Sequence, residues 1–269
     1  MMRTLLLGTA VAAAAAAQDD VFLVSGATGR TGSLIYSSLA AAQAPGTAPV
    51  RALVRDLDTA RSVLNCTACD ASEGIYLGDV TDPATLVAAL AGVTRLAIAV
   101  GAPGDSTSDE QASIEWRGVQ NQVAAMALQA DRPLAELRVA LISSMGTTDP
   151  DPQPYMGGAD LFWKLQAEAF LGTCGVPSYI VKPCGLSDDP GSARTLLVGH
   201  DDDILDTRPP TVPRADVART MVHALTAPQC VAAGLRLDLC STKGEATEDL
   251  DALFQAGRWS WAERPRLHG

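Results

Sequence analysis

The chain has 269 residues, 47% of them hydrophobic and only 4% aromatic, with a formal net charge of −11. That content suffices for a sizeable core and argues against disorder. The acidic balance, without a basic run or any alternation of aromatic and basic residues, argues against nucleic-acid or anionic-membrane binding, although a local basic pocket for one phosphorylated cofactor is still allowed.

Residues 1–17, MMRTLLLGTAVAAAAAA, place one arginine before an apolar stretch that ends in small residues. This is the pattern of a cleavable signal or targeting peptide, and it is too short for a transmembrane helix. It points to the secretory pathway or an organelle. An Ala-rich extension or a misassigned start, with a cytoplasmic protein, is the alternative. Residues 18–269 are expected to form one domain with no membrane span.

VFLVSG reads as a short buried strand, and GSLIYSSLAAAQ repeats apolar residues at helical spacing. VRALVR and GIYLGDV are the next strands. DPATLVAAL starts a helix, with Asp82 as its cap and Pro83 at its first position. There follow the strand RLAIAV, the long helix IEWRGVQNQVAAMALQA, the strand LRVALISSM and the helix ADLFWKLQAEAFLGTCG, which should stop at Gly172 or Gly175. PSYIVKP is a sixth strand. This alternation predicts an α/β fold, a doubly wound parallel sheet. After Pro183 the rhythm breaks into a Gly-, Pro- and Asp-rich stretch, then the helix ADVARTMVHALTA and the strand GLRLDLCS. Residues 183–269 are expected to form a cap and the last sheet elements.

The first strand–helix junction carries glycines at 26, 29 and 32. Strand, glycine turn and helix are the context that a dinucleotide pyrophosphate needs, because the helix N-terminus offers free N–H groups and a positive dipole end. Gly26 is expected to make the tight turn, Gly29 to admit the pyrophosphate and Gly32 to let helix and strand pack closely. Thr28, Arg30 and Thr31 complete the loop. At the end of the second strand stands Arg55, where NAD sites place an acidic residue for the ribose hydroxyl. A guanidinium suits a 2′-phosphate and accepts no hydrogen bond. The expected cofactor is therefore NADP, with Arg30 as a second cation; Asp56 keeps NAD as the alternative. Asp79 is placed to accept from the adenine amino group or to cap a turn, Val80 to line the ring, and Gly101 in VGAPG to let the cofactor pass under the fourth strand.

SGATGRTG, ALVRD, GDVTDP, EWRGVQNQ, ISSMG, FWKLQAEAFL, IVKPCGL, LLVGHDDDIL and VPRADVA occur in that order. Together they resemble the atypical, NmrA-like short-chain dehydrogenase/reductase family, above all its plant and algal NAD(P)-binding members, from Val21 to Arg258. The resemblance implies an extended Rossmann domain with a small C-terminal substrate part and NADP in the cleft. It implies roles for Ser143 and Ser144 after the fifth strand and for Lys164 at the nicotinamide ribose, with Asn121 supporting that lysine. It also implies that Pro183, Gly185 and Leu186 line the nicotinamide pocket, with Cys184 as a small wall residue. Where the family's tyrosine would stand, four residues before the lysine, this chain has Asp160. Asp160 shares a helix face with Lys164 and is expected to pair with it rather than donate a proton. Tyr155 lies in the preceding proline-rich loop, out of phase.

The remaining motifs have plainer readings. Cys66-x-x-Cys69 stands without a second such pair, and the three histidines are scattered, so a pair of loop thiols is expected and no metal site. With a leader, a disulfide there or between Cys230 and Cys240 is open. Asp201–Asp203 reads as solvated surface, and Phe162, Trp163, Leu165 and Phe170 as helix core. The composite expectation is an NADP-dependent oxidoreductase acting on a small molecule with a conjugated system, such as a quinone, flavin or bilin. The alternative is a non-catalytic NADP-binding sensor or assembly protein with a protein partner. Carbonyl reduction with Tyr155 as the acid ranks last.

Overall fold

A computed structural model describes residues 20–44, 47–148, 159–206, 211–227 and 232–259. The leader residues 1–17, Tyr155 and Cys230 lie outside these. Among the described residues, ten strands form one sheet: β1 (Phe22–Ser25), β2 (Arg51–Val54), β3 (Ile75–Leu77), β4 (Arg95–Ile98), β5 (Arg138–Ile142), β6 (Ser178–Pro183), β7 (Gly185–Ser187), β8 (Thr195–Gly199), β9 (Thr211–Pro213) and β10 (Leu235–Thr242). Their order is β3-β2-β1-β4-β5-β6-β10-β9-β7, with β8 also paired to β10. Strands β1 to β6 and β10 pair in parallel, whereas β8 and β9 run antiparallel to β10.

The helices are α1 (Gly32–Ala42), α2 (Leu57–Leu64), α3 (Val87–Leu90), α4 (Ser108–Gln111), α5 (Gly118–Leu128), α6 (Asp160–Thr173), α7 (Arg214–Thr226) and α8 (Leu250–Ala256). The two-residue period of a strand sends alternate side chains to opposite faces. On β1, β4 and β5, Val24, Ala97 and Ala140 face a core that also holds Ile35 and Leu39 of α1, Val217 and Met221 of α7 and Phe254 of α8. Their neighbours Leu23, Leu96, Ile98, Val139 and Leu141 face a second core with Val119, Val123 and Met126 of α5 and Ala167 and Leu171 of α6. A parallel sheet covered on both faces needs such near-continuous apolar strands.

Local signals act largely as their chemistry requires. Asp82 caps the turn after β3 by accepting from Ala84 N, with Pro83 in the first turn. That turn is 3₁₀ over Pro83–Leu86 before α3 begins, so the expected helix is shorter and tighter. Gly175, at φ +82, ends α6 just past its cap residue Cys174. The long helix expected over 114–130 opens instead as a π-helix, Ala112–Arg117, and becomes α-helical only from Gly118. The segment after Pro183 is more than a cap: β7 to β10 extend the same sheet, and β10 inserts directly beside β6.

Candidate functional site

Strands β1 to β6 and β10 point their carboxyl ends to one edge of the sheet, and the strand order reverses between β1 and β4. Ligands of open α/β sheets collect at such a switch point. A cavity of about 310 Å³ lies there, lined by Ser25, Gly26, Thr28, Gly29, Leu53, Val54, Arg55, Gly78, Asp79, Val80, Ala99, Val100, Gly101 and Ile114. It brings together seven of the residues expected to hold the cofactor: Gly26, Thr28, Gly29, Arg55, Asp79, Val80 and Gly101.

The loop's geometry follows from close backbone approach. Gly26 has φ +72, and a Cβ there would stand 2.6 Å from the carbonyl oxygen of Ala99. A Cβ on Gly32 would fall 2.0 Å from the Gly26 carbonyl oxygen, which only glycine permits. Gly29 N–H donates to that same oxygen at 2.9 Å, so Gly29 closes the turn. No side chain caps the first turn of α1, whose N-cap is Thr31. Ser25 is fully buried at the cavity wall, with its hydroxyl lacking a partner among the described residues. A glycine cradle at the start of α1 and an orphaned buried hydroxyl fit a dinucleotide pyrophosphate. Arg30 is exposed beside the loop and does not line the cavity.

Arg55 lines the groove, is exposed, and forms no ion pair or side-chain hydrogen bond among the described residues. Asp56 is occupied otherwise. Its side chain caps α2 by accepting from Thr59 N at 2.7 Å, and the Thr59 hydroxyl and amide hold its carboxyl below the usual carboxylate range. Asp79 accepts from both the amide and the hydroxyl of Thr81 at 2.8 Å through one oxygen, Oδ1.

Beyond the cavity the site continues through Glu115. Its Oε1 accepts from Ala102 N at 2.7 Å, next to Gly101, and its Oε2 pairs with Lys164 Nζ at 2.6 Å. The π-helix presents this buried carboxylate, and such irregular turns frequently mark functional positions. Burial alone would pull the Lys164 ammonium down. Glu115, Asp160 and Glu168 together outweigh it, so Lys164 is held above its ordinary range. Asn121, expected to support this lysine, donates to the Val80 carbonyl at 2.9 Å instead. Asp160 sits one turn before Lys164 at the start of α6, where both Lys164 and Glu115 act on its carboxyl. Burial pushes the Asp160 carboxyl up to about 6, against the pull of Lys164 and with the help of Glu115. The simple Asp160–Lys164 ion pair expected from spacing is thus a three-membered cluster.

The two serines after β5 have other partners. The Ser143 hydroxyl donates to Glu168 Oε1, and Glu168 Oε2 in turn accepts from Arg236 Nε at 2.6 Å. The Ser144 hydroxyl donates to the Met145 carbonyl at 2.8 Å. Pro183 ends β6, while Gly185 and Leu186 belong to β7, which pairs with β9; none of the three lines the cavity. Glu115, Glu168 and Arg236 carried no local motif. Their one trace in the sequence is an acidic residue on an otherwise apolar helix stretch, and for Glu168 the four-residue spacing from Lys164.

Several side chains depart from expectation. Cys184 and Cys240 form a disulfide that joins the end of β6 to β10, so Cys184 is no free wall residue and Cys240 does not bond Cys230. Cys66 and Cys69 are joined too, with Glu73 beside them. Asp202 is not solvated surface: it accepts from the fully buried Lys182 at 2.8 Å, and the same ammonium lies 3.0 Å from Asp238 Oδ1. Trp163 stacks on Trp116 at 5.5 Å rather than entering the core, and Phe162 is exposed at its edge.

Residues 26–228 match the NAD(P)H-binding family model. An uncharacterized chloroplastic protein of Arabidopsis thaliana is 33% identical over 91% of this chain and 77% of its own length. The chain belongs to this NAD(P)H-binding family. Family membership makes it an oxidoreductase-type Rossmann protein that takes a nicotinamide cofactor. A sanguinarine reductase of Eschscholzia californica is 31% identical over 86% of this chain and 94% of its own. Among solved structures, a candidate NAD-dependent epimerase/dehydratase from Bacillus halodurans superposes with a TM-score of 0.69 over 88% of this chain and 100% of its own, and its 19% identity speaks to the shared fold. No described helix is long and apolar enough to cross a membrane.

Proposed function

We propose that this chain is an NADPH-dependent reductase of a conjugated small molecule of the quinone, flavin or bilin type. When bound, the reduced nicotinamide supplies a hydride. The observation that carries the reading is the engagement of both serine hydroxyls elsewhere: Ser143 donates to Glu168 and Ser144 to the Met145 carbonyl. Neither is oriented to polarise an isolated carbonyl oxygen. The acceptor must then carry its own electron sink, as a delocalised ring system does. The stacked Trp116 and Trp163, with exposed Phe162, offer a flat aromatic shelf next to Lys164. A relative named for reducing sanguinarine supports the reductase class.

NADP is favoured over NAD by two adjacent residues. Arg55 is exposed on the groove without an ion-pair partner among the described residues, whereas Asp56 spends its carboxylate on the cap of α2. A ribose 2′-phosphate has a guanidinium to meet, and a 2′-hydroxyl has no free carboxylate to donate to. The test is NADPH oxidation by purified protein with a panel of quinones, flavins and bilins. Acceleration by at least one of them is expected. Tight NADPH binding with no acceleration by any would replace this reading with that of a non-catalytic dinucleotide-binding protein.

A further inference from the structure

We propose that the Cys66–Cys69 disulfide is a thiol–disulfide exchange site, opened by a dithiol reductant and closed again without unfolding of the chain. The inference is independent of the reductase reading, because neither cysteine lines the dinucleotide groove. It starts from a contrast between the two disulfides. Cys184 and Cys240 join the end of β6 to β10 inside the core, at 6% and 0% exposure, and Cys240 Sγ packs 3.8 Å from Met145 Sδ. An attacking thiolate needs access to a sulfur, so that bond is out of reach in the folded protein. Cys66 and Cys69 instead close a short loop between α2 and β3. Cys66 is partly exposed and stands between exposed Asn65 and Thr67, whereas Cys69 is 3% exposed. One sulfur is open to an incoming thiol and its partner is shielded. Attack therefore falls on Cys66 Sγ, and Cys69 Sγ leaves.

The loop keeps its shape through bonds that the disulfide does not supply. Glu73 Oε2 accepts from Thr67 N at 3.0 Å and from Cys69 N at 2.8 Å. Asp70 accepts from Ser72 N at 2.9 Å and caps the turn Ala71–Glu73, and Ile75 N donates to the Asp70 carbonyl at 2.9 Å. Cys69 itself is held at φ +52, a left-handed conformation that residues other than glycine rarely take. After reduction the two thiols thus stay within reach of each other. A Glu73 carboxylate oxygen also lies within 4.8 Å of both sulfurs. A negative charge so close disfavours a thiolate, which makes the closed disulfide the resting form. It also makes a monothiol a poor reductant, because the Cys69 thiolate turns back and expels it. A second thiol on the same reductant outruns that return.

The exchange balances in two steps. The reductant's thiolate forms a bond to Cys66 Sγ, the Cys66–Cys69 bond breaks, and its electron pair leaves on Cys69 Sγ, which takes up the proton the attacking thiol gave up. The reductant's second thiolate then attacks its own sulfur in the mixed disulfide and expels Cys66 Sγ, which is protonated in the same way. The protein disulfide has gained two electrons and two protons, and the dithiol has become a cyclic disulfide.

The test uses the full chain in its oxidised form, without denaturant, in mixtures of reduced and oxidised dithiothreitol. Acid quenching, alkylation and peptide mass spectrometry then read each cysteine separately, so Cys174 and Cys230 do not enter the result. Cys66 and Cys69 should open together and reclose when the mixture is reversed, with the circular dichroism of the protein unchanged. Opening of Cys184–Cys240 should be slower by about 10²-fold or more. A Cys66–Cys69 bond that resists dithiothreitol until denaturant is added, opens no faster than Cys184–Cys240, or fails to reclose would overturn the proposal. Single substitutions identify the attacked sulfur. The thiol of Cys66 in Cys69→Ser should react with an aromatic disulfide reagent about 10-fold or more faster than that of Cys69 in Cys66→Ser. Equal rates would overturn the assignment of Cys66 as the point of attack.

Discussion

Lys164 Nζ lies 2.6 Å from Glu115 Oε2, across the seam between α6 and the π-helix, with both side chains largely shielded from water. The contact ties the expected nicotinamide end of the site to the loop that follows β4. Removing one member of a buried pair leaves an uncompensated charge. Glu115→Ala should therefore destabilise the fold by about 3–5 kcal/mol. Lys164→Met combined with Glu115→Leu should cost far less, because neither charge is then stranded. Urea unfolding of the three proteins decides between a stabilising cluster and an incidental one: equal losses in the single and double variants would mean the charges are not coupled.

Arg55 governs the choice of dinucleotide in this reading. Arg55→Asp should weaken NADP binding by about 10- to 100-fold, the worth of charge-assisted hydrogen bonds to a phosphate, and leave NAD binding equal or improved. Calorimetric titration with both cofactors checks it. Parallel losses for both would show that Arg55 does not meet the 2′-phosphate.

Gly32 is the most constrained position in the loop. A Cβ there would lie 2.0 Å from the Gly26 carbonyl oxygen, so Gly32→Ala must displace either the turn or the start of α1. A loss of about 1–3 kcal/mol in stability is expected, together with a loss of dinucleotide affinity. Ala at Gly172, where a Cβ meets nothing within 4 Å, is the matched control and should be close to neutral. Thermal melts with and without NADPH separate the two effects.

Lys182 is fully buried between Asp202 and Asp238 and also donates to Thr148 Oγ1 at 3.0 Å. Lys182→Met should destabilise by about 3–5 kcal/mol, since it leaves two shielded carboxylates facing each other. Chemical denaturation measures this. The lysine also holds Asp202 below its ordinary carboxylate range, so part of its stabilisation should fade as pH falls through that lowered value.

Asp160 should produce a pH effect of the opposite sign. Its folded value of about 6 exceeds its ordinary value of 3.8, so between them the native state binds more protons than the unfolded one. Its contribution is complete below about pH 4 and is lost as pH rises towards 6. Asp160→Asn should flatten that part of the stability profile in cofactor-free protein. An unchanged slope between pH 4 and 6 would place the Asp160 carboxyl in ordinary solvent.

Much of the architecture was legible from local chemistry. Alternating apolar strands and helical periods, the Asp82–Pro83 helix start and the glycine turn at 26–32 are short-range signals, and each describes its own backbone. The parallel sheet and a groove lined by the glycine turn follow from them, as does Arg55 at the end of β2. The expectations that failed concern partners far apart in sequence. Nothing near Glu115 announces Lys164, 49 residues on, and nothing near Asp202 announces a buried lysine 20 residues before it. Cys184 meets Cys240 because β10 inserts beside β6, a crossover that no local pattern records. Phe162 and Trp163 read as core by period alone, but the π-helix carries Trp116 across to stack on Trp163. The sequence by itself determined most of the parallel strands and their helices, the face each strand buries and the glycine turn after β1, because those depend on neighbours along the chain. Only the tertiary structure decided where the protons and charges of the site reside, because a carboxyl's state depends on which distant groups the fold packs against it and on how much water it leaves there.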